Sequence, residues 1–301
     1  MILLWILVFI VSVAVLSKSA DYFTDAAEEV GQALKLPPFI IGVTIVALGT
    51  SLPELAASIV AVINGASEIV AANVIGSNIT NIFLVLGVAG IVAKQLDISF
   101  ELITVDLPLL VGSTFLVIFM MWDGLFSIGE GIICLATLVL YLHYTFSSEQ
   151  VHDKKEETEE VRKNRPKFTF NLWLRLVFSA IFLFLGAKYT IDSVIYASEL
   201  LNIGKDIIAI SAIALGTSLP ELIVSYSAAK KGQAEIAVGN ILGSNIFNIL
   251  GVMGVTSFFG TLRVAPDMIS FGIPMMLAAT LLYFFITQDK KITKWEGGIL
   301  L

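Results

Sequence analysis

The nine residues ALGTSLPEL occupy positions 47–55 and recur, letter for letter, at 214–222. Each copy sits inside an apolar run too long to be a surface loop. With a fixed offset of 167 and no gap, residues 47–83 and 214–250 are identical at 21 of 37 positions. The identities include Glu68 and Glu235, Asn73 and Asn240, and most of the runs GSNITN (76–81) and GSNIFN (243–248). The chain is therefore an internal duplication. Its period is too long for a solenoid or propeller repeat.

Hydrophobic residues make up 57% of the chain and charged residues 14%, where a soluble domain carries about 25% charged residues. With a mean hydropathy of +0.90, this is an integral membrane protein. Apolar runs near the roughly 20 residues that cross about 30 Å of hydrocarbon lie at 2–17, 39–62, 69–93, 102–121, 125–146, 170–187, 207–229, 236–260 and 268–287. The tail ITKWEGGILL (292–301) resembles SIGEGIICLA (127–136), which opens the fifth run. The expected fold is an all-α membrane protein of two five-helix repeats, a ten-helix design whose last helix is cut short. Half-to-half symmetry of this kind suits secondary transporters.

The first run lacks the basic flank of a signal peptide. Lysine and arginine, which favour the cytoplasmic side, fix an orientation with the N-terminus outside. That choice puts fifteen of the 18 basic residues in the cytoplasm and leaves Lys188, Lys205 and Arg263 outside. Five spans per repeat is an odd number, so the repeats are inverted with respect to the membrane. The halves are residues 1–146 and 170–301, joined by a cytoplasmic polar linker, 147–169, that is rich in Glu, Lys and Arg. The formal net charge of −7 argues against nucleic-acid binding. A single cysteine, Cys134, excludes a disulfide framework and a cysteine-ligated metal centre.

Glu54 and Glu221 fall near the middle of apolar spans, where an ionisable side chain costs at least about 2.5–3.5 kcal/mol by insertion scales. Thr50 and Ser51 precede Glu54 by four and three residues and share its helical face. Thr217 and Ser218 stand in the same relation to Glu221. Pro53 lacks an N–H and its ring crowds the carbonyl of Gly49, so the helix is expected to kink or open there, and likewise at Pro220 and Gly216. Irregular backbone at membrane depth is tolerated where it lines a cavity or is buried in protein. Asn73, Ser77 and Asn81 recur every four residues, as do Asn240, Ser244 and Asn248, and give the third and eighth spans a polar stripe. Oxygen ligands without His, Cys or Met suit hard cations such as Ca²⁺, and Na⁺ is an oxygen-seeking ion of similar radius.

At these residues the chain resembles the cation/calcium exchanger superfamily, in particular its prokaryotic sodium/calcium exchanger branch. Paired inverted repeats, each with a GTSLPE-type and a GSN-type motif, carry the resemblance; here they are 49–54 with 76–81 and 216–221 with 243–248. The resemblance implies ten helices, the second, third, seventh and eighth surrounding a central site. It implies that Glu54 and Glu221 bind Ca²⁺ and Na⁺. Thr50, Ser51, Ser77, Thr217, Ser218 and Ser244 would complete the sites with the backbone carbonyls of Ala47 and Ala214. Some members carry an acidic residue where this chain has Asn81 or Asn248, so the expected metal site here holds two formal negative charges. One Ca²⁺ or two Na⁺ would balance them.

The resulting expectation is a monomeric, multi-pass cell-membrane antiporter that exchanges Ca²⁺ for Na⁺ by alternating access, with no cofactor and with the bilayer as its surroundings. The alternative is an H⁺/Ca²⁺ or K⁺-assisted cation antiporter; the proton-coupled branch carries a different motif around its glutamates. A channel would need a continuous pore and usually a ring of charge. An enzyme is not expected, because the chain has no nucleophile with a His base, no HExxH motif and no nucleotide-binding loop.

Overall fold

The computed structural model describes residues 2–93, 95–97, 100–152, 169–200 and 216–301. The helices are numbered here in chain order. The first half supplies α1 (Ile2–Ala33), α2 (Pro38–Ile63), α3 (Glu68–Ala93), α4 (Phe100–Met120) and α5 (Ile128–His152). The second supplies α6 (Phe170–Leu200), α7 (Leu219–Lys230), α8 (Ala234–Phe259), α9 (Met268–Asp289) and α10 (Lys294–Leu300). Among the described residues, seven helices are long and apolar enough to cross a membrane: α1, α2, α3, α5, α6, α8 and α9.

Three helices outrun the apolar segments from which they are expected. α1 continues to Ala33 and α6 to Leu200, past the ends of their hydrophobic runs at 17 and 187. Hydropathy measures hydrocarbon contact, whereas helix propagation needs only compatible residues, which 18–33 and 188–200 supply. α5 likewise runs to His152, past residue 147 where the polar linker is expected to begin. The rest of that linker, 153–168, lies outside the described residues, as do 207–215 of the seventh apolar run.

The packing repeats between the halves. α8 packs against α2 and, in the same way, α3 against α7. α10 lies on α3 while α5 lies on α8. Two short antiparallel ribbons join the halves: β1 (Gln95–Asp97) pairs with β4 (Lys291–Thr293), and β2 (Leu125–Phe126) with β3 (Leu262–Arg263). Under the offset of 167, β1 corresponds to β3 and β2 to β4, so each ribbon pairs an element with the counterpart of a different element in the other half. Both α5 and α10 open on a Ser or Thr bonded to a Glu three residues on: Ser127 with Glu130 and Thr293 with Glu296. This is the capping-box exchange. The sequence likeness of 127–136 to 292–301 thus corresponds to a shared helix start.

Crossing of α2 and α8 is close enough to require glycine. A Cβ on Gly243 would lie 2.4 Å from the Val43 carbonyl oxygen and 2.7 Å from the Ala47 Cβ, and one on Gly239 would lie 2.7 Å from the Phe39 oxygen. Small residues of this kind let membrane helices approach backbone to backbone. The contact sets α8 directly against the segment that leads into Thr50, Ser51 and Glu54. Away from this crossing, Asp106 of α4 accepts a 2.8 Å hydrogen bond from the Tyr141 hydroxyl of α5, a buried polar tie the sequence reading did not single out.

Gly243→Ala is expected to lower stability by about 1–3 kcal/mol, the usual cost of overpacking a close contact. Gly112→Ala, where a Cβ meets nothing within 4 Å among the described residues, is expected to leave stability unchanged or slightly raised. Thermal unfolding of the two variants in detergent checks the contrast; equal midpoints would contradict it.

Candidate cation-binding site

The two copies of the repeated motif adopt different backbones. In the first, the helix does not open at Pro53: α-helical backbone runs through it from Ala47 to Ile63, and a π-helical turn precedes that stretch at Gly42–Val46. A proline inside a helix is tolerated when neighbours and local adjustments re-satisfy the freed backbone. The Phe23 ring of α1 packs over Gly49, whose carbonyl is the one Pro53 frees. In the second copy the chain turns at Ser218 and α7 starts at Leu219, placing Pro220 in the first turn, where its missing N–H costs nothing. Further π-helical turns at Asn81–Val85 and Phe247–Val252 fall at equivalent places in the two GSN segments. Such turns concentrate at functional sites.

The polar side chains interlock across the halves. Thr50 donates to Asn240 Oδ1 at 3.1 Å and its hydroxyl lies 3.3 Å from Ser244 Oγ. The counterpart set repeats this geometry: Thr217 donates to Asn73 Oδ1 at 3.1 Å and lies 3.4 Å from Ser77 Oγ. Asn240 and Asn73 in turn donate to Ser225 and Ser58, at 2.9 and 3.5 Å. These two asparagines are thus occupied in holding the threonines, and the last two members of each polar stripe are left for the interior. The Ala47 carbonyl lies 3.3 Å from the Thr50 hydroxyl. Ala214 lies outside the described residues.

Ser51 donates to Glu221 Oε1 at 3.0 Å, so a hydroxyl of the first motif completes part of the carboxylate of the second. Thr50 and Ser244 also lie beside Glu221, and Glu54 is within electrostatic reach of it. The matching bond from Ser218 to Glu54 is not made. Among the described residues, both Glu54 oxygens, Glu221 Oε2, Ser218 Oγ, Asn81 Oδ1 and both polar atoms of Asn248 are buried without a hydrogen-bond partner. Glu54 and Asn248 are 1% exposed, and Glu221 and Asn81 0%. A buried polar atom without a partner costs about 1–3 kcal/mol, and a charged one more. Six of these seven atoms are oxygens, and concentrating unpaired oxygens on matched segments is the arrangement expected where a cation completes the bonding.

Two residues overlooked in the sequence join this set. Asn78 donates to the Asn245 backbone oxygen at 3.3 Å, and Asn81 donates to Asn245 Oδ1 at 3.0 Å. Asn78 and Asn245 are the asparagines of the two GSN motifs and correspond under the offset of 167. Their identity in both copies was the available signal; the four-residue stripe skips them. They tie α3 to α8 beside Asn81 and Asn248.

Comparison with known proteins agrees with this architecture. The profile of the family described as sodium/calcium exchanger protein matches residues 4–147 and 171–301. The sodium/calcium exchanger MaX1 of Methanosarcina acetivorans is 32% identical, covering 98% of this chain and 95% of its own length. The inner membrane protein YrbG of Escherichia coli is 29% identical, over 97% of this chain and 91% of its own. A solved structure of the sodium-calcium exchanger NCX_Mj superposes with a TM-score of 0.85 at 30% identity, covering all of this chain and 96% of that one. Matched in both halves, and over nearly the whole length of MaX1, the chain belongs to the sodium/calcium exchanger protein family.

Proposed function

We propose that this protein is a secondary active antiporter that exchanges Ca²⁺ for Na⁺ across the cell membrane by alternating access at one central site. The observation that carries the reading is the set of buried oxygens on Glu54, Glu221, Asn81, Asn248 and Ser218, from both halves, that have no partner among the described residues. In this proposal Glu54 and Glu221 supply the charge. Thr50, Ser51, Ser77, Thr217, Ser218 and Ser244, the amides of Asn81 and Asn248, and the carbonyls of Ala47 and Ala214 supply neutral oxygens. Membership of a sodium/calcium exchanger family supports the choice of ions. All-oxygen ligation suits both: Ca²⁺ takes six to eight oxygens, and Na⁺ has nearly the same radius.

Exchange follows from electrostatics. Without a cation the two carboxylates stand desolvated beside each other, and a buried charge without a partner is strongly unfavourable. The empty site therefore resists reorientation, while one Ca²⁺ or two Na⁺ neutralises it and releases the block. Na⁺ and Ca²⁺ compete for the same oxygens, so each drives the other's exit. One chain contributes both carboxylates, so a monomer holds a complete site.

An inverted arrangement of the halves, 1–146 and 170–301, is supported by the crossed pairing of β1 with β4 and β2 with β3. The proposed orientation has the N-terminus outside and the linker 147–169 in the cytoplasm, from the distribution of basic residues.

Glu54→Gln and Glu221→Gln keep shape and remove charge. Each is expected to lower Ca²⁺ affinity at least about a hundredfold, as expected from the ~3–5 kcal/mol lost when one partner of a buried charge pair is removed. Na⁺-driven ⁴⁵Ca²⁺ uptake into proteoliposomes is expected to stop in both, and wild-type uptake in either would refute the assignment. Protons and Ca²⁺ also compete for the same carboxylate oxygens. Apparent Ca²⁺ affinity measured without Na⁺ is therefore expected to fall from neutral to mildly acidic pH, by at most about tenfold per pH unit for each proton displaced. A flat profile, with Glu54→Gln and Glu221→Gln inactive, would mean that the carboxylates stay ionised in the empty site and would contradict this electrostatic account of it.

A further inference from the structure

Helix α1 carries Asp21, Asp25, Glu28 and Glu29 along one face of its second half, spaced as helix neighbours. Their partners converge from the end of α7 and the turn into α8. Ser227 donates to Asp21 Oδ1 at 2.6 Å, Lys231 donates to Asp25 Oδ1 at 2.6 Å and to the Asp21 carbonyl at 3.0 Å, and Gln233 donates to Glu28. Arg175 of α6 pairs with Glu29 at 2.5 Å. This half of α1 is also the packed half: Leu16, Ala20, Phe23, Ala26, Ala27 and Val30 are buried, whereas Leu3, Leu7 and Ile10 near the other end are 78%, 58% and 59% exposed.

α1 and α6 are joined along their length. Trp5 stacks on Tyr196 with ring centroids 4.4 Å apart, Thr190 donates to Ser12 at 3.0 Å, and a Cβ on Gly186 would meet the Leu16 nitrogen at 2.8 Å. The pair is thus one unit, tied by ion pairs to the α7–α8 turn at one end.

The duplication has not copied this tie. Under the offset of 167, Asp21, Asp25 and Glu28 correspond to Lys188, Asp192 and Ile195, while Ser227, Lys231 and Gln233 correspond to Val60, Asn64 and Ala66. The ion pairs of Lys231 cannot form between α6 and the α2–α3 turn, because Asn64 stands in place of Lys231 and Lys188 in place of Asp21. In a molecule of two like halves, an interaction present in one copy only makes its two faces unequal.

We propose that Lys231 is a positioning residue for exchange. Its bonds to α1, with Ser227–Asp21 and Gln233–Glu28 beside them, form a latch that holds α1 against the α7–α8 end of the bundle. The latch must open each time the site faces that side, which is cytoplasmic in the orientation proposed above. The inference rests on the alternating-access reading. The Lys231 side chain is 29% exposed and that of Asp25 48%, so the pair is partly screened and its effect is a bias, not a lock. Removing it is expected to raise apparent Ca²⁺ affinity from the latched face and lower it from the other, the two shifts together changing the ratio of the affinities by about two- to fivefold.

Two experiments test the latch. Asp21→Cys/Ser227→Cys puts two thiols where a hydrogen bond now joins the side chains, while the native Cys134 is buried. Oxidation of this variant is expected to stop Na⁺-driven Ca²⁺ uptake and reduction to restore it. Uptake that continues at the reduced rate with the cross-link formed would overturn the proposal. Should the double variant fail to transport when reduced, Lys231→Met and Lys231→Arg decide the matter in oriented vesicles. The opposite shifts of affinity on the two faces are expected in Lys231→Met and reversed in Lys231→Arg; equal affinities to wild type on both faces of Lys231→Met would overturn it. Failure of the exchange reading itself would appear separately, as continued uptake in Glu54→Gln.

Discussion

Two carboxylates buried in a membrane bundle, with three of their four oxygens lacking a protein partner, are the constraint to which the rest of the molecule answers. Burying an ion costs several kcal/mol even after relaxation unless charge and hydrogen bonds compensate. Here neutral hydroxyls give only part of that compensation: Ser51 donates to Glu221, with Thr50 and Ser244 beside it. The surrounding hydroxyls and amides are held by partners of their own: Thr50 by Asn240, Thr217 by Asn73, and these by Ser225 and Ser58. The site is therefore rigid in its outer layer and unsatisfied at its centre. That combination favours binding a cation over collapsing around the carboxylates.

Duplication explains how such a centre arises, and the departures from it are equally informative. Outer hydrogen bonds are copied almost atom for atom between the halves. The inner ones are not, since Ser51 reaches Glu221 while Ser218, at a turn in the chain, does not reach Glu54. The latch at Lys231 is a second departure, at the edge of the bundle. In the proposed inverted arrangement, identical halves would present the same surface to both sides of the membrane, and these unshared contacts would remove that equivalence.

Much of this was legible in the sequence, for a physical reason: an ionisable residue within an apolar run is a signal in itself, and finding it twice removes the ambiguity. Glu54, Glu221 and the hydroxyls one turn before them were found in this way. Helix lengths were less legible, because α1 and α6 extend beyond the hydrocarbon into polar sequence that hydropathy does not score as helix. Proline chemistry pointed to a kink or opening at Pro53; the helix runs through Pro53 without opening, and a π-helical turn lies upstream at Gly42–Val46, where no residue announces it. Asn78 and Asn245 were visible as identities yet fell between the stripe positions, and their cross-half bonds needed the fold. Lys231 counted towards topology only, since its partners lie 206 and 210 residues away.

The central claim is that both halves build one site at which Na⁺ and Ca²⁺ exclude each other. Equilibrium Ca²⁺ binding to the purified protein, titrated with Na⁺ at constant ionic strength, tests it most directly. The account predicts complete and competitive displacement, with the apparent Ca²⁺ dissociation constant rising without limit as Na⁺ is added. Ca²⁺ that stays bound at saturating Na⁺ would contradict it, because the two ions would then occupy separate sites.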